Sequence, residues 1–182
     1  MRYYAALIDI LYNPVRYCDN SWLALPYVSS ANYFKNHFIL DQCERISFSN
    51  EDIFESLPVS LFIINWNKIK QAAFMIGLKL LSAHLIRTPL RMKKLSAKER
   101  EFLCLPIPLQ ASATVPDQAM LSDEIITHAG ADFIYFLAIQ ILPPVLRDRL
   151  KLVFPSSFEY SKTSYGNLDK SLSVLKWAFD YA

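Results

Sequence analysis

Ile69-Lys70-Gln71-Ala72-Ala73-Phe74-Met75-Ile76-Gly77-Leu78-Lys79-Leu80-Leu81 sets the fold class. Ile69, Ala72, Ala73, Ile76 and Leu80 recur at spacings of three and four, the period of one helical face, and Phe74, Leu78 and Leu81 widen the stripe. A helix apolar over so wide an arc belongs at the centre of its fold. Gly77 inside it costs about 0.5–1 kcal/mol relative to Ala, so close approach of a neighbouring helix is expected there.

Upstream, the apolar run Tyr3 to Tyr12 predicts a first helix that stops at Asn13-Pro14, because proline fixes its own φ and pushes the preceding residue out of the helical region. Ser30 to Leu40 predicts a second helix, although Phe38-Ile39-Leu40 reads equally as a short strand and Ile46 to Phe48 is similarly ambiguous. A minor β element within 33–48 is therefore part of the expectation. Ser49-Asn50-Glu51-Asp52 supplies an N-cap and two early acids, which place a helix start near residue 50 with a break or kink at Pro58.

Downstream, Ser96-Ala97-Lys98-Glu99 is a capping box that opens a short helix to Cys104, ended by Pro106. Leu105 to Val115 has no period and predicts an exposed connector. Ser122-Asp123-Glu124 caps a further helix, Gly130 is expected to separate it from Ala131 to Leu142, and Pro143-Pro144 restarts the chain in a proline-tolerant first turn. Ser156 to Gly166 reads as a polar loop. Asn167 caps the last helix, with Leu168, Leu172, Leu175 and Phe179 as its stripe. Three glycines and no Asn-Gly or Asp-Gly hairpin turn reinforce a mostly α fold of six to eight helices, one compact domain over 1–182.

Composition bounds the function. Nineteen basic and seventeen acidic residues leave a net charge of +2, too small a field to draw nucleic acid or anionic lipid to the whole molecule. The aromatic share of 14 % is high, and Tyr and Trp serve docking surfaces as well as cores. Cys18, Cys43 and Cys104 are odd in number and widely spaced, which points to a reducing compartment and to no metal or disulfide framework. Asp9 interrupts the N-terminal apolar stretch, so no signal peptide is expected, and Leu57 to Asn67 falls far short of the roughly 20 residues that cross a bilayer. The expectation is a soluble, cytoplasmic protein.

Chemistry is hard to find. The possible parts of a nucleophilic site are Cys18, Cys43 and Cys104 with His37, His84 and His128, none in a recognisable frame; His128 reads as a helix-end cap. A phosphate cradle is hard to build with so few glycines, the acids at helix starts are explained by capping, and no cofactor is expected. A cysteine-nucleophile enzyme and a weak nucleic-acid-binding module stand as the alternatives to a binding protein. The one basic concentration holds Arg87, Arg91, Lys93, Lys94, Lys98 and Arg100. Arg87, Arg91, Lys93 and Lys94 are the candidate partner-binding residues, since charged contacts steer docking; a solvated loop and helix start is the plainer reading of the same stretch. Tyr12, Tyr17 and Trp22 around Pro14 read either as a partner hot spot or as anchors pinning the turn.

Four collinear stretches carry a resemblance. They are Tyr12-Asn13-Pro14-Val15-Arg16-Tyr17 with Trp22-Leu23, the central segment with Phe74 and Gly77, Leu142-Pro143-Pro144 leading to Phe154-Pro155, and the closing Leu175 to Ala182. Together they resemble the OrgA/MxiK/YscK (SctK) family, small adaptors of bacterial type III secretion machines. Cys18-Asp19-Asn20 departs from the family's usual His or Asn with Pro after the Tyr, and residues 29–60 lack a clear counterpart. The resemblance implies a non-enzymatic adaptor of the injectisome sorting platform. Its partners would be the cytoplasmic domain of the inner-membrane ring protein and the C-ring-like spoke protein that leads to the ATPase, with the chain held peripherally at the inner membrane through them.

Overall fold

The computed structural model describes residues 2–23, 31–43, 54, 56–106, 109, 121–161 and 165–182. Among them are ten α-helices and no strand: α1 (Arg2–Tyr12), α2 (Asn32–Asp41), α3 (Leu57–Ile64), α4 (Ile69–Leu80), α5 (Ser82–Ile86), α6 (Pro89–Lys94), α7 (Ala97–Cys104), α8 (Asp123–Ile141), α9 (Pro144–Lys151) and α10 (Leu168–Tyr181). The fold is mostly α, and Phe38-Ile39-Leu40 lies inside α2, helical rather than extended. Ile46–Phe48, the start foreseen near residue 50 and most of the 105–115 connector lie outside the described residues. The chain divides into two compact units, Met1–Asn67 with Ala138–Glu159, and Lys68–Leu137 with Tyr160–Ala182.

In the first unit α1 packs on α3 and α9, burying Ile10 and Leu11 among Phe62, Ile63, Leu146 and Leu150. The turn after α1 is built as the proline dictates. Asn13 leaves the helix at φ −122° and ψ 54°, and the buried Pro14 opens a 3-10 turn over Pro14–Arg16. Asn36 of α2 then clasps that turn, accepting from the Val15 N–H at 3.0 Å and donating to the Asn13 Oδ1 at 3.3 Å. Far in sequence but in the same unit, Trp22 Nε1 donates to the Phe154 carbonyl at 2.8 Å and the Asp19 N–H to the Leu152 carbonyl at 2.8 Å.

Pro58 sits in the first turn of α3 and helps to start that helix; most of the helix expected before it lies outside the described residues. A backbone N–H at that place in a helix has no intrahelical partner in any residue, so proline's lack of one costs little.

In the second unit α4 is the hub, with Ile69, Ala72, Ala73, Met75, Ile76, Gly77, Leu78 and Leu80 buried and Phe74 half-buried. α10 and α7 pack on it. A Cβ at Gly77 would lie 1.8 Å from the Ile126 carbonyl oxygen of α8, and one at Gly130 of α8 would lie 1.7 Å from the Ala73 carbonyl oxygen. The expected close approach at Gly77 is therefore met, and it is reciprocal. Gly130 does not divide two helices, as the sequence suggested; α8 runs through it without a break because the glycine serves the crossing, not a turn. His128 is consequently a mid-helix side chain, its Nδ1 3.7 Å from the Asp132 carboxylate, and not a helix-end cap.

Two helix starts follow local chemistry closely. The Ser96–Glu99 capping box is complete, and Asn167 accepts from the Asp169 and Lys170 N–H groups. Of the stripe expected on α10, Leu175 and Phe179 are buried together with Ser171, Val174 and Ala178, while Leu168 and Leu172 are only half-buried.

Candidate functional site

The basic stretch is carried by two short helices. α5 and α6 are joined at Arg87-Thr88, where the Thr88 N–H donates to Leu85 and the Arg91 and Met92 N–H groups donate to Thr88, so the chain turns without losing its backbone bonds. Pro89 stands in the first turn of α6, and the buried Leu85 and Leu95 anchor the segment at its two ends.

Between these anchors the cations separate into two kinds. Arg87, Lys93 and Lys94 are exposed, and among the described residues none of them has an ion-pair partner. Arg91 is different: its side chain is only 18 % exposed and pairs with Asp123 in the first turn of α8. The acid opposite it lies 32 residues further on, which no local pattern signals. Sequence reasoning also passed over Ile86 and Leu90, which stand 70 % and 76 % exposed beside the cations. Their place among the cations of the same short stretch was the available clue.

The N-terminal aromatics separate as well. Tyr17 donates its hydroxyl to the Ile10 carbonyl at 2.7 Å and meets Trp66 edge to face at 5.8 Å. Burial pushes the Tyr17 phenol far up from its ordinary value, against the opposing pull of Arg149. Tyr17 and Trp22 thus pin the turn, while Tyr12 is 46 % exposed and continues an outward row with Tyr4 and Ile8 along α1. Among the other motif residues, Leu23, Phe74 and Pro143 are half-buried, Phe154 is buried and Pro155 is exposed.

No reactive constellation emerges among the described residues. None of the three cysteines is hydrogen-bonded to a histidine; Cys43 donates to its own helix at the Ile39 carbonyl, 3.4 Å away. Burial raises the Cys18 and Cys43 thiols, which holds them protonated and poor nucleophiles at neutral pH. His37 sits by Asp41 on the surface of α2 at 3.1 Å, and no group of His, Cys, Asp and Glu there is placed to hold a metal. The cleft at the start of α10, lined in part by Tyr165, Asn167, Lys170 and Val174, brings together one cation and no acid or thiol among the described residues.

Residues 7–182 match the family described as bacterial type III secretion apparatus protein (OrgA_MxiK). The chain belongs to that family. All four stretches that carried the resemblance fall inside the matched region, so the proline turn and the Gly77 helix crossing are features of a type III secretion apparatus protein. No curated protein and no solved structure matches the chain. Among the described residues no helix is long and apolar enough to cross a membrane.

Proposed function

We propose that this secretion apparatus protein is a cytoplasmic adaptor of the sorting platform. It links the cytoplasmic domain of the inner-membrane ring protein to the C-ring-like spoke protein and, through that, to the ATPase complex, and it stays at the inner membrane by way of these partners. The observation that carries the reading is the family match over residues 7–182. Two kinds of outward surface support it: apolar side chains on α1 and α2 (Tyr4, Ile8, Tyr12, Tyr33, Phe34) in one unit and the cations Arg87, Lys93 and Lys94 in the other. The mechanism is positional. Holding two partners on one chain turns the second encounter into an intramolecular one at high effective concentration, and no turnover or cofactor takes part.

Deleting the gene is expected to stop effector export and to abolish co-purification of the spoke protein with the inner-membrane ring, both restored by the wild-type chain on a plasmid. Normal export in the deletion strain would overturn the reading. Reversing Lys93 and Lys94 to Glu is expected to weaken recruitment with the fold intact. Reversing Arg91 is expected to cost stability too, because a Glu there would face Asp123.

A further inference from the structure

From the α5–α6 surface we infer the kind of partner it takes: an acidic amphipathic helix of another secretion-apparatus protein, its apolar residues seated on Ile86 and Leu90 and its carboxylates on Arg87, Lys93 and Lys94. The inference rests on the adaptor reading and deepens it. Its first support is charge. No Asp or Glu occurs between Glu55 and Glu99, while Lys68, Lys70, Lys79, Arg87, Arg91, Lys93, Lys94 and Lys98 fall within that interval. On a chain of net charge +2 this is a strong local imbalance.

The imbalance is also sorted by role. Lys68 donates to the Phe179 carbonyl, Lys79 donates to the Leu103 and Leu105 carbonyls, and Arg91 pairs with Asp123, so these three are occupied within the fold. Arg87, Lys93 and Lys94 are left in solvent without an acid. The second support is apolar. Ile86 and Leu90 are among the most exposed large hydrophobic side chains of the described residues. They lie inside the cationic segment, and the buried Leu85 and Leu95 hold that segment down at both ends.

Exposed aliphatic side chains interspersed in sequence with unpaired cations complement a helix with an apolar stripe flanked by Asp and Glu. A bilayer is the poorer fit. Interfacial helices bring a long apolar face with aromatic residues at the headgroup level, whereas α6 spans Pro89–Lys94 and the 82–101 segment contains no Trp, Tyr or Phe.

The test places the photo-cross-linker p-benzoylphenylalanine at Leu90 of the full-length chain in its own secreting bacterium, with the cross-linked peptide sequenced. The expected adduct is a segment of another apparatus protein rich in Asp and Glu, with apolar residues three and four apart. Lys93→Glu with Lys94→Glu should lower its yield about tenfold, and reversing acids to Lys in the captured segment should restore it. Capture of a segment without net negative charge, of a second copy of this chain, or of lipid overturns the inference. Co-sedimentation with phosphatidylglycerol vesicles that the same Lys reversals abolish overturns it equally. Co-purification of the ring and spoke proteins is read in the same cells: if it persists while Leu90 captures nothing, this surface falls and the adaptor stands, whereas its absence from wild-type cells removes the adaptor reading itself.

Discussion

Gly77 and Gly130 show how far a single missing methyl reaches. Alanine is the better helix former by up to about 1 kcal/mol, so an exposed Gly→Ala exchange in α4 or α8 would stabilise. Here the added Cβ would meet a backbone carbonyl at 1.8 Å or 1.7 Å, and a backbone cannot swing aside as a side-chain tip can. Gly77→Ala and Gly130→Ala are each expected to destabilise by about 3 kcal/mol or more, read as a lower urea midpoint at unchanged m-value. Tyr17 makes a pH-dependent case. Its raised phenol keeps its proton in the folded state while the unfolded chain releases it near pH 10.0, so the Tyr17 contribution is intact below that pH and declines as pH rises above it. Tyr17→Phe is expected to cost about 1 kcal/mol at pH 7 through the lost bond to Ile10, with the gap to wild type shrinking above pH 10. A gap that widens in urea titrations at alkaline pH would contradict this account.

At the level of elements, legibility followed the range of the interaction. Ser96, Ser122 and Asn167 cap their helices, and Pro144 opens α9, because a cap is chemistry among residues two or three apart. Gly130 was misread because its cause lies across the fold, at the Ala73 carbonyl. The candidate site divides along the same line. A row of cations is visible in any sequence, but the withdrawal of Arg91 into a pair with Asp123 is not. Lys79 is another long-range device: from near the end of α4 its ammonium donates to the Leu103 carbonyl at 2.6 Å and the Leu105 carbonyl at 2.5 Å, closing the C-terminal end of α7. Charge, donors and helix dipole all act in the same direction there. Lys79→Met keeps most of the apolar stem and removes the ammonium, and it is expected to cost about 2 kcal/mol. Hydrogen exchange across 97–104 should quicken more than exchange in α1, and equal acceleration everywhere would show that the contact does not act locally.

For the whole molecule, connectivity argues that the two units unfold together. Each is assembled from distant pieces of chain: Trp22 to Phe154 and Arg149 Nε to the Leu11 carbonyl close the first, and Lys68 to Phe179 and Ser161 to Asp132 close the second. Each is interrupted in sequence by residues of the other, and the division between them falls inside the single uninterrupted helix α8. Breaking α8 at the division would expose backbone groups bonded within it and strip Phe133, Ile134, Leu137 and Ala138 of their common scaffold. The chain is therefore expected to behave as one cooperative domain, with near-UV and far-UV circular dichroism tracing one urea transition. That behaviour is also what the proposed adaptor role would require, since a chain that yielded in the middle would lose the effective concentration that the proposal invokes. Two separated transitions, or a chain ended at residue 159 that still unfolds cooperatively, would contradict a single cooperative domain.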